Sequence, residues 1–131
     1  MSWVAVLAGF LVAHMVGDYL LQTDWQARHK RGGLGPDPVA RKALVSHVST
    51  YTLAFLPAFI WIAAELNGIW AIIAAVMVFI PHLIIDDGRV VSLYLARVKR
   101  VDGLNLGVAA SVDQSFHVVS LFLTALVIGA A

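Results

Sequence analysis

The chain has 131 residues, of which 60% are hydrophobic and 13% are charged. This composition indicates an integral membrane protein and leaves room for one domain at most. A formal net charge of +1 and the lack of a continuous basic stripe in the sequence exclude a nucleic-acid-binding protein. The sequence has no cysteine, which excludes disulfide bonds and cysteine metal sites and leaves His, Asp, Glu and backbone groups as candidate metal ligands.

Four segments of the chain are apolar and long enough to cross a hydrocarbon core about 30 Å thick. They cover residues 3–21, 43–64, 69–86 and 108–131. The first lacks the basic start and cleavage site of a signal peptide and is therefore expected to remain in the protein. Pro57 predicts a kink in the second segment. The sequence therefore predicts an all-α integral membrane four-helix bundle that forms a single transmembrane domain over residues 1–131.

The polar connections between these segments predict the orientation of the bundle. Residues 22–42 are basic and rich in Gly and Pro, which predicts a loop. Residues 89–101 carry apolar and basic side chains on different faces, which predicts an amphipathic helix at the membrane interface. Asp102, Gly103 and Asn105 predict a turn before the last span. Since Lys and Arg favour the cytoplasmic side, we expect both termini on the periplasmic or extracellular side of a bacterial inner membrane, with membrane lipids as partners.

Three of the four spans carry a His and an Asp four residues apart in otherwise apolar sequence. The pairs are His14 with Asp18, His82 with Asp86, and Asp113 with His117. Residues at this spacing share one face of an α-helix. In the predicted topology, a rise of about 1.5 Å per residue places these residues other than Asp86, together with His47 in the second span, about 6–14 Å from the cytoplasmic ends of their helices. Ionisable groups are costly inside a membrane, so a cluster of them at one depth indicates a functional site.

Imidazole and carboxylate groups in this arrangement predict a metal site. They are usual ligands of Zn, Mn and Fe, and bundles that bind two iron or manganese ions carry His and carboxylate ligands that project inward. The predicted ligands are His14, Asp18, His47, His82, Asp86, Asp113 and His117. Because this set exceeds one tetrahedral site, we predict one or two divalent transition-metal ions, with the remaining members supporting the ligands or acting as a base.

Two assignments within this cluster concern single aspartates. Asp113 and Asp18 are the candidate catalytic residues. Asp87 is either a further ligand or a helix-end residue. The alternative to a metal site is a hydrogen-bonded polar network that joins the helices.

The order of these motifs along the chain resembles that of a known family. The motifs are His14-x3-Asp18-x3-Gln22-Thr-Asp-Trp25, a His early in the second span, His82-x3-Asp86 after a Pro, and Asp113-Gln-x2-His117. Over nearly the whole chain they resemble small bacterial and phage inner-membrane proteins that are grouped only as a domain of unknown function. The His-x3-Asp pattern is also distantly similar to membrane-bound metal-dependent hydrolases. The resemblance implies a metal site in a membrane and no particular substrate.

Three kinds of function fit such a site. In the first, the metal activates water in a hydrolase that acts on a lipid or interfacial substrate from the cytoplasmic side. In the second, buried His and Asp residues carry metal ions or protons across the membrane, which requires a homo-oligomer because four spans are few for a pore. In the third, His pairs bind haem, but the carboxylates four residues away then have no purpose. The hydrolase is the function that we predict.

Overall fold

The structure is a computed structural model of the chain, and it describes residues 1–101 and 106–131. Every regular element within these residues is a helix, so the prediction of an all-α protein is confirmed. The helices are α1 (Trp3–Met15), which continues into a π-helical turn at Val16–Leu20, α2 (Asp24–His29), α3 (Pro38–Ala54), α4 (Leu56–Glu65), α5 (Gly68–Asp86), α6 (Arg89–Tyr94), which continues into a π-helical segment at Leu95–Lys99, and α7 (Leu106–Gly129). The turn predicted at Asp102, Gly103 and Asn105 lies outside the described residues.

Within the described residues, three helical stretches are long and apolar enough to cross a membrane. They are Trp3–Leu20, Gly68–Asp86 and Leu106–Gly129. Helices α3 and α4 qualify together as a fourth, broken span with a bend of 48°. The break lies at Phe55, and Pro57 is in the first turn of α4, where its missing N–H costs no hydrogen bond. By length and composition, the chain therefore has three or four candidate spans.

The segment 22–42, which we predicted to be a loop, contains the short helix α2 and the start of α3. A capping box begins α2: the backbone N–H of Gln26 donates to Oγ1 of Thr23 at 3.2 Å, and the N–H of Thr23 donates to Oε1 of Gln26 at 2.9 Å. Asp37 accepts a backbone hydrogen bond at 2.8 Å and begins α3 ahead of the predicted residue 43. The loop prediction was wrong for these residues because it counted Gly and Pro and overlooked the capping side chains.

The predicted interfacial helix over residues 89–101 consists of α6 and the π-helical segment that follows it. Val91 in α6 is buried, whereas Val98 in the π-helical segment is 62% exposed. The stretch therefore packs against the bundle through α6 and Leu95, the first residue of the π-helical segment.

The polar residues of the bundle lie between two apolar clusters. The larger cluster joins α1, α3, α4, α5 and α7, and the smaller contains Ile85, Val91 and Val112. On α5, His82 lies between Val78 of the larger cluster and Ile85 of the smaller one. Helix α5 contacts α3, α4 and α7, and α1 contacts α7, so side chains from several helices meet in this layer.

Candidate metal centre

A π-helical turn at the end of α1 positions Asp18. The N–H of Leu21 donates to the carbonyl of Val16 at 2.9 Å, and π-helical turns of this kind are frequent at functional sites. Gly17 lets α3 come close, because a Cβ at this position would lie 2.6 Å from Cδ2 of Tyr51. The turn thereby brings the carboxylate of Asp18 to α3 and α5, where its side chain is only 6% exposed.

Within the described part of the chain, two groups of side chains can hold a metal ion, and the first is the four-ligand group. Its members are Asp18, His47, His82 and Asp86. Nε2 of His47 lies 2.9 Å from Oδ2 of Asp86 and 3.1 Å from Nε2 of His82. Oδ1 of Asp18 lies 3.3 Å from Nε2 of His47 and 3.5 Å from Nε2 of His82. Oδ2 of Asp86 is also 3.0 Å from Nε2 of His82, so four atoms from three helices converge on one point.

The spacing of these four atoms fits one small ion. Bonds of about 2.0–2.2 Å to a tetrahedral zinc ion place the ligand atoms about 3.3–3.6 Å from one another. The five interatomic distances given above run from 2.9 to 3.5 Å. Four ligand atoms define six interatomic distances, and five of these therefore have nearly the length that a tetrahedral ion requires. An ion would also separate two buried carboxylates that otherwise repel each other.

The second group, the three-ligand group, lies between α5 and α7. Its members are Asp86, Asp113 and His117. Nδ1 of His117 donates to the backbone carbonyl of Asp113 at 2.9 Å, which leaves the lone pair of the neutral ring on Nε2. That Nε2 lies 3.5 Å from Oδ1 of Asp86. Asp86 thus belongs to both groups and turns a different oxygen toward the histidines of each.

Five buried polar atoms at the centre have no hydrogen-bond partner among the described residues. Three of them face the two groups and carry lone pairs: Oδ1 of Asp18, Oδ1 of Asp86 and Nε2 of His117. The other two are Nδ1 of His47 and Nδ1 of His82, on the far sides of their rings. An unsatisfied buried acceptor costs about 1–3 kcal/mol. The three inward lone pairs are therefore a second observation, besides the spacing, that fits a bound cation.

His14, one of the predicted ligands, lies outside both groups. Its Nε2 donates to Oε1 of Gln114 at 3.0 Å, so its Nδ1 accepts from the hydroxyl of Tyr51, also at 3.0 Å. Nδ1 of His14 is 3.6 Å from Oδ2 of Asp18, too far for a hydrogen bond. Because both ring nitrogens of His14 are hydrogen-bonded, neither is free to bind an ion. Asp18 contacts His47 on α3 and His82 on α5 instead.

Lys30 is a member of the site that the sequence did not reveal, since we had assigned it only to the basic loop. Its Nζ lies 2.8 Å from Oδ2 of Asp86, and its side chain is 15% exposed. The segment that carries Lys30 is tied to the end of α5 by Asp87. The backbone carbonyl of Asp87 accepts from the N–H of Gly32 at 2.9 Å, and its Oδ1 accepts from the N–H of Leu34 at 2.8 Å. Asp87 is thus a helix-end residue that anchors the loop and lies outside both groups.

Tyr51 and Gln22 also contact the ligands directly. The ring of Tyr51 stacks on the ring of His82 with centroids 3.4 Å apart and planes inclined by 10°. The side-chain amide of Gln22 lies 3.1 Å from Nε2 of His47. Gln22 follows Asp18 at the same spacing of four, and this was the signal available in the sequence. Tyr51 follows His47 at this spacing too, whereas nothing in the spacing of the chain marks Lys30.

The centre is largely enclosed. The side chains of the five innermost residues are 6% exposed or less; these are Asp18, His47, His82, Asp86 and His117. Asp113 is 20% exposed and Lys30 is 15% exposed. Gln22, which contacts His47, is also partly exposed, so these three side chains extend from the centre toward the surface.

Comparison with protein families gave one match. A family model described as "Protein of unknown function (DUF3307)" matches residues 6–130, which include every member of both groups. Comparisons with curated proteins and with solved structures gave no match. The expected resemblance to a family of unknown function is confirmed.

Proposed function

The chain belongs to the DUF3307 family, whose function is unknown, and we propose that this member is a membrane-embedded metalloprotein that hydrolyses a lipid or interfacial substrate. The position of Asp86 carries the proposal. Its Oδ2 lies 2.9 and 3.0 Å from Nε2 of His47 and of His82, and its Oδ1 lies 3.5 Å from Nε2 of His117. A carboxylate in this position suits a bridge between two ions. Paired ions about 3.5–4 Å apart stabilise both the attacking and the leaving oxygen in hydrolytic displacements.

The two groups differ in a way that suggests different roles. The four-ligand group supplies a complete tetrahedral set and is enclosed, as in metal sites that stabilise a fold. The three-ligand group supplies three protein ligands, as in catalytic sites that keep one position for water. Its Asp113 is also the most exposed ligand of the centre, at 20%. We assign the chemistry to the side of Asp113 and the binding of a supporting ion to the enclosed side.

Mixed imidazole and carboxylate ligands suit Zn, Mn or Fe. When bound, such ions polarise a substrate oxygen and make water a better nucleophile at neutral pH. The residues of the chain hold and orient the reacting groups. Asp113 is partly exposed and needs only one carboxylate oxygen as a ligand, so its other oxygen is the proposed base that accepts a proton from the attacking water. Asp18, enclosed at 6% exposure, is assigned to metal binding, so its predicted catalytic role is not part of this proposal.

The outer surface of the bundle supports placement in a membrane. Large apolar side chains such as Val12, Leu53 and Ile69 are 65–69% exposed, and water-soluble proteins rarely expose apolar surface on this scale. With the basic segments on the cytoplasmic side, the four-helix bundle has both termini on the outer side of the inner membrane. Reporter fusions after Ala131 test this orientation. An active cytoplasmic reporter at that point would reverse it and place the centre in the other leaflet.

Metal content is the first measurement. Protein purified in detergent and reconstituted with Zn, Mn or Fe is expected to bind two ions per chain by elemental analysis. A parent protein that binds no transition metal would overturn the proposed centre. Haem would be evident from absorption spectra of the same samples.

Loss of the proposed base tests the hydrolase. Asp113→Asn is expected to reduce turnover of a phospholipid or isoprenoid phosphate from a lipid panel by about 10²–10⁴-fold, since removal of a general base has effects of this size. Asp24→Asn is the matched control, because Asp24 is 77% exposed, pairs with Arg28 and belongs to neither group. Should the metal-loaded parent leave the whole panel intact yet conduct ions in liposomes in a His117-dependent way, an ion carrier would replace the hydrolase.

A further inference from the structure

Building on the proposed metal centre, we propose that Lys30 is an anion-binding residue of the site and that the substrate carries a phosphoryl oxyanion. Lys30 is the cation that reaches the two groups within the described residues: its Nζ is 2.8 Å from Oδ2 of the bridging Asp86. Its side chain is mostly buried, with 15% of it exposed. An ammonium group in this position would meet an incoming ligand together with the ions.

The surroundings of Asp86 show why Lys30 is available for another partner. Oδ2 of Asp86 lies within 3.0 Å of three groups, Lys30, His47 and His82, although one carboxylate oxygen has two lone-pair sites. When an ion takes one lone pair of this oxygen, Nε2 of His47 and Nε2 of His82 turn to the same ion, and the second lone pair needs only one N–H group of Lys30. The ammonium carries three N–H donors, so it can keep a contact with the carboxylate and donate to an oxyanion as well.

The charge of the loaded centre favours an anion. Its three carboxylates, Asp18, Asp86 and Asp113, are outweighed by two divalent ions and Lys30, with a surplus of about two positive charges. A phosphate monoester carries a charge of about −1.5 to −2 at neutral pH and would balance this surplus. Ammonium groups are common phosphate ligands in proteins. A neutral ester would leave the surplus uncompensated in a site that excludes water.

The segment around Lys30 is fixed in place before any ligand arrives. Gly33 packs so closely on α3 that a Cβ would lie 2.6 Å from Cβ of Leu44. On the other side of Lys30, the side-chain amide of Gln26 donates to Oγ of Ser46 on α3 at 3.2 Å. These contacts on both sides of Lys30 fix the position of its backbone relative to α3. Such preorganisation is typical of residues that bind a ligand.

The test compares two lysine variants. Lys30→Met removes the proposed anion-binding ammonium, and Lys42→Met removes the same charge from an exposed position of α3. Each protein is reconstituted with Mn in nanodiscs of zwitterionic lipid, and inorganic phosphate is titrated while its ³¹P relaxation is followed. We expect equal metal content in all three proteins and a phosphate affinity about 10–100-fold weaker in Lys30→Met, the loss of one charge-assisted hydrogen bond. Lys42→Met should bind phosphate as the parent does, and Lys30→Arg should lie between.

The outcomes separate this inference from the proposed function. A parent without metal would overturn both. Unchanged phosphate affinity in Lys30→Met, loss of metal from that variant, or a metal-loaded parent that binds no phosphate would overturn the role of Lys30 alone.

A second measurement on the parent covers the case in which Lys30→Met does not fold. Acetic anhydride labelling followed by mass spectrometry should show that phosphate protects Lys30, and not Lys42, in the metal-loaded protein. Equal labelling of Lys30 with and without phosphate would contradict the proposal. Phosphatidic acid in the nanodisc and glycerol phosphate in solution, used as competitors, then distinguish a lipid headgroup from a soluble phosphate ester. Competition by either supports the proposal, and competition by neither would overturn it.

Discussion

Replacing Asp86 by Asn tests the central feature of the site, the carboxylate shared by both groups. The substitution keeps the shape of the side chain but removes its charge and one of its acceptor oxygens. The oxygen that remains is neutral and can serve only one group, so the other group loses a ligand outright. We therefore expect Asp86→Asn to lose both ions, with each affinity reduced by more than the 10–100-fold that is typical when only a neighbour of a ligand is lost.

The same substitution has a calculable effect on folding without metal. Lys30 pairs with Asp86 at 2.8 Å, and its side chain is 15% exposed. Breaking a buried ion pair by removing one partner costs about 3–5 kcal/mol, and because Lys30 retains some contact with solvent we expect about 3 kcal/mol. In the parent, metal at 100 times its Kd adds about 2.7 kcal/mol of stability per ion, whereas Asp86→Asn should show no such gain.

Thermal unfolding in detergent, with and without metal, and elemental analysis measure these two effects. Asp87→Asn is the matched control: Asp87 is equally buried and adjacent, but it binds the backbone of Leu34 and pairs with Arg89, outside both groups. The double variant Asp86→Asn, Lys30→Met should recover stability relative to Asp86→Asn and still bind no metal. If Asp86→Asn kept both ions, or bound either of them with the affinity of the parent, the shared carboxylate would be refuted.

Two further predictions use matched pairs. His14→Ala should keep both ions but bind them about 10–100-fold more weakly, because His14 only supports the ligands. His117→Ala should lose one ion. Elemental analysis that shows the same loss of metal in both variants would contradict this difference. Gly17→Ala should destabilise the fold by about 1–3 kcal/mol, since the new Cβ would meet the ring of Tyr51 at 2.6 Å. Gly9→Ala enters open space and should be neutral or slightly stabilising in the same thermal unfolding assay, and equal effects of the two alanines would count against the close approach.

Much of the helical architecture follows from the sequence alone. Long apolar runs indicate helices because a backbone in an apolar environment has to satisfy its own hydrogen bonds. The predicted span 69–86 and the observed helix Gly68–Asp86 differ by one residue at the start. Spacing also predicted part of the site: His82 and Asp86 share a helix face, and Nε2 of the first lies 3.0 Å from Oδ2 of the second. These features depend on local periodicity, which can be read along a single chain.

Only the tertiary structure decided which of the polar residues meet. The spacing of four made His14 and Asp18 look like a pair of ligands, but Tyr51 from α3 and Gln114 from α7 take up both nitrogens of His14. Lys30 lies in a segment with no periodic pattern, and its distance of 2.8 Å from the site depends on how that segment packs on α3 and α5. Contacts of this kind are set by the rotation and bending of whole helices and by the reach of flexible side chains. Residues far apart in the chain determine those quantities together, so no local pattern encodes them.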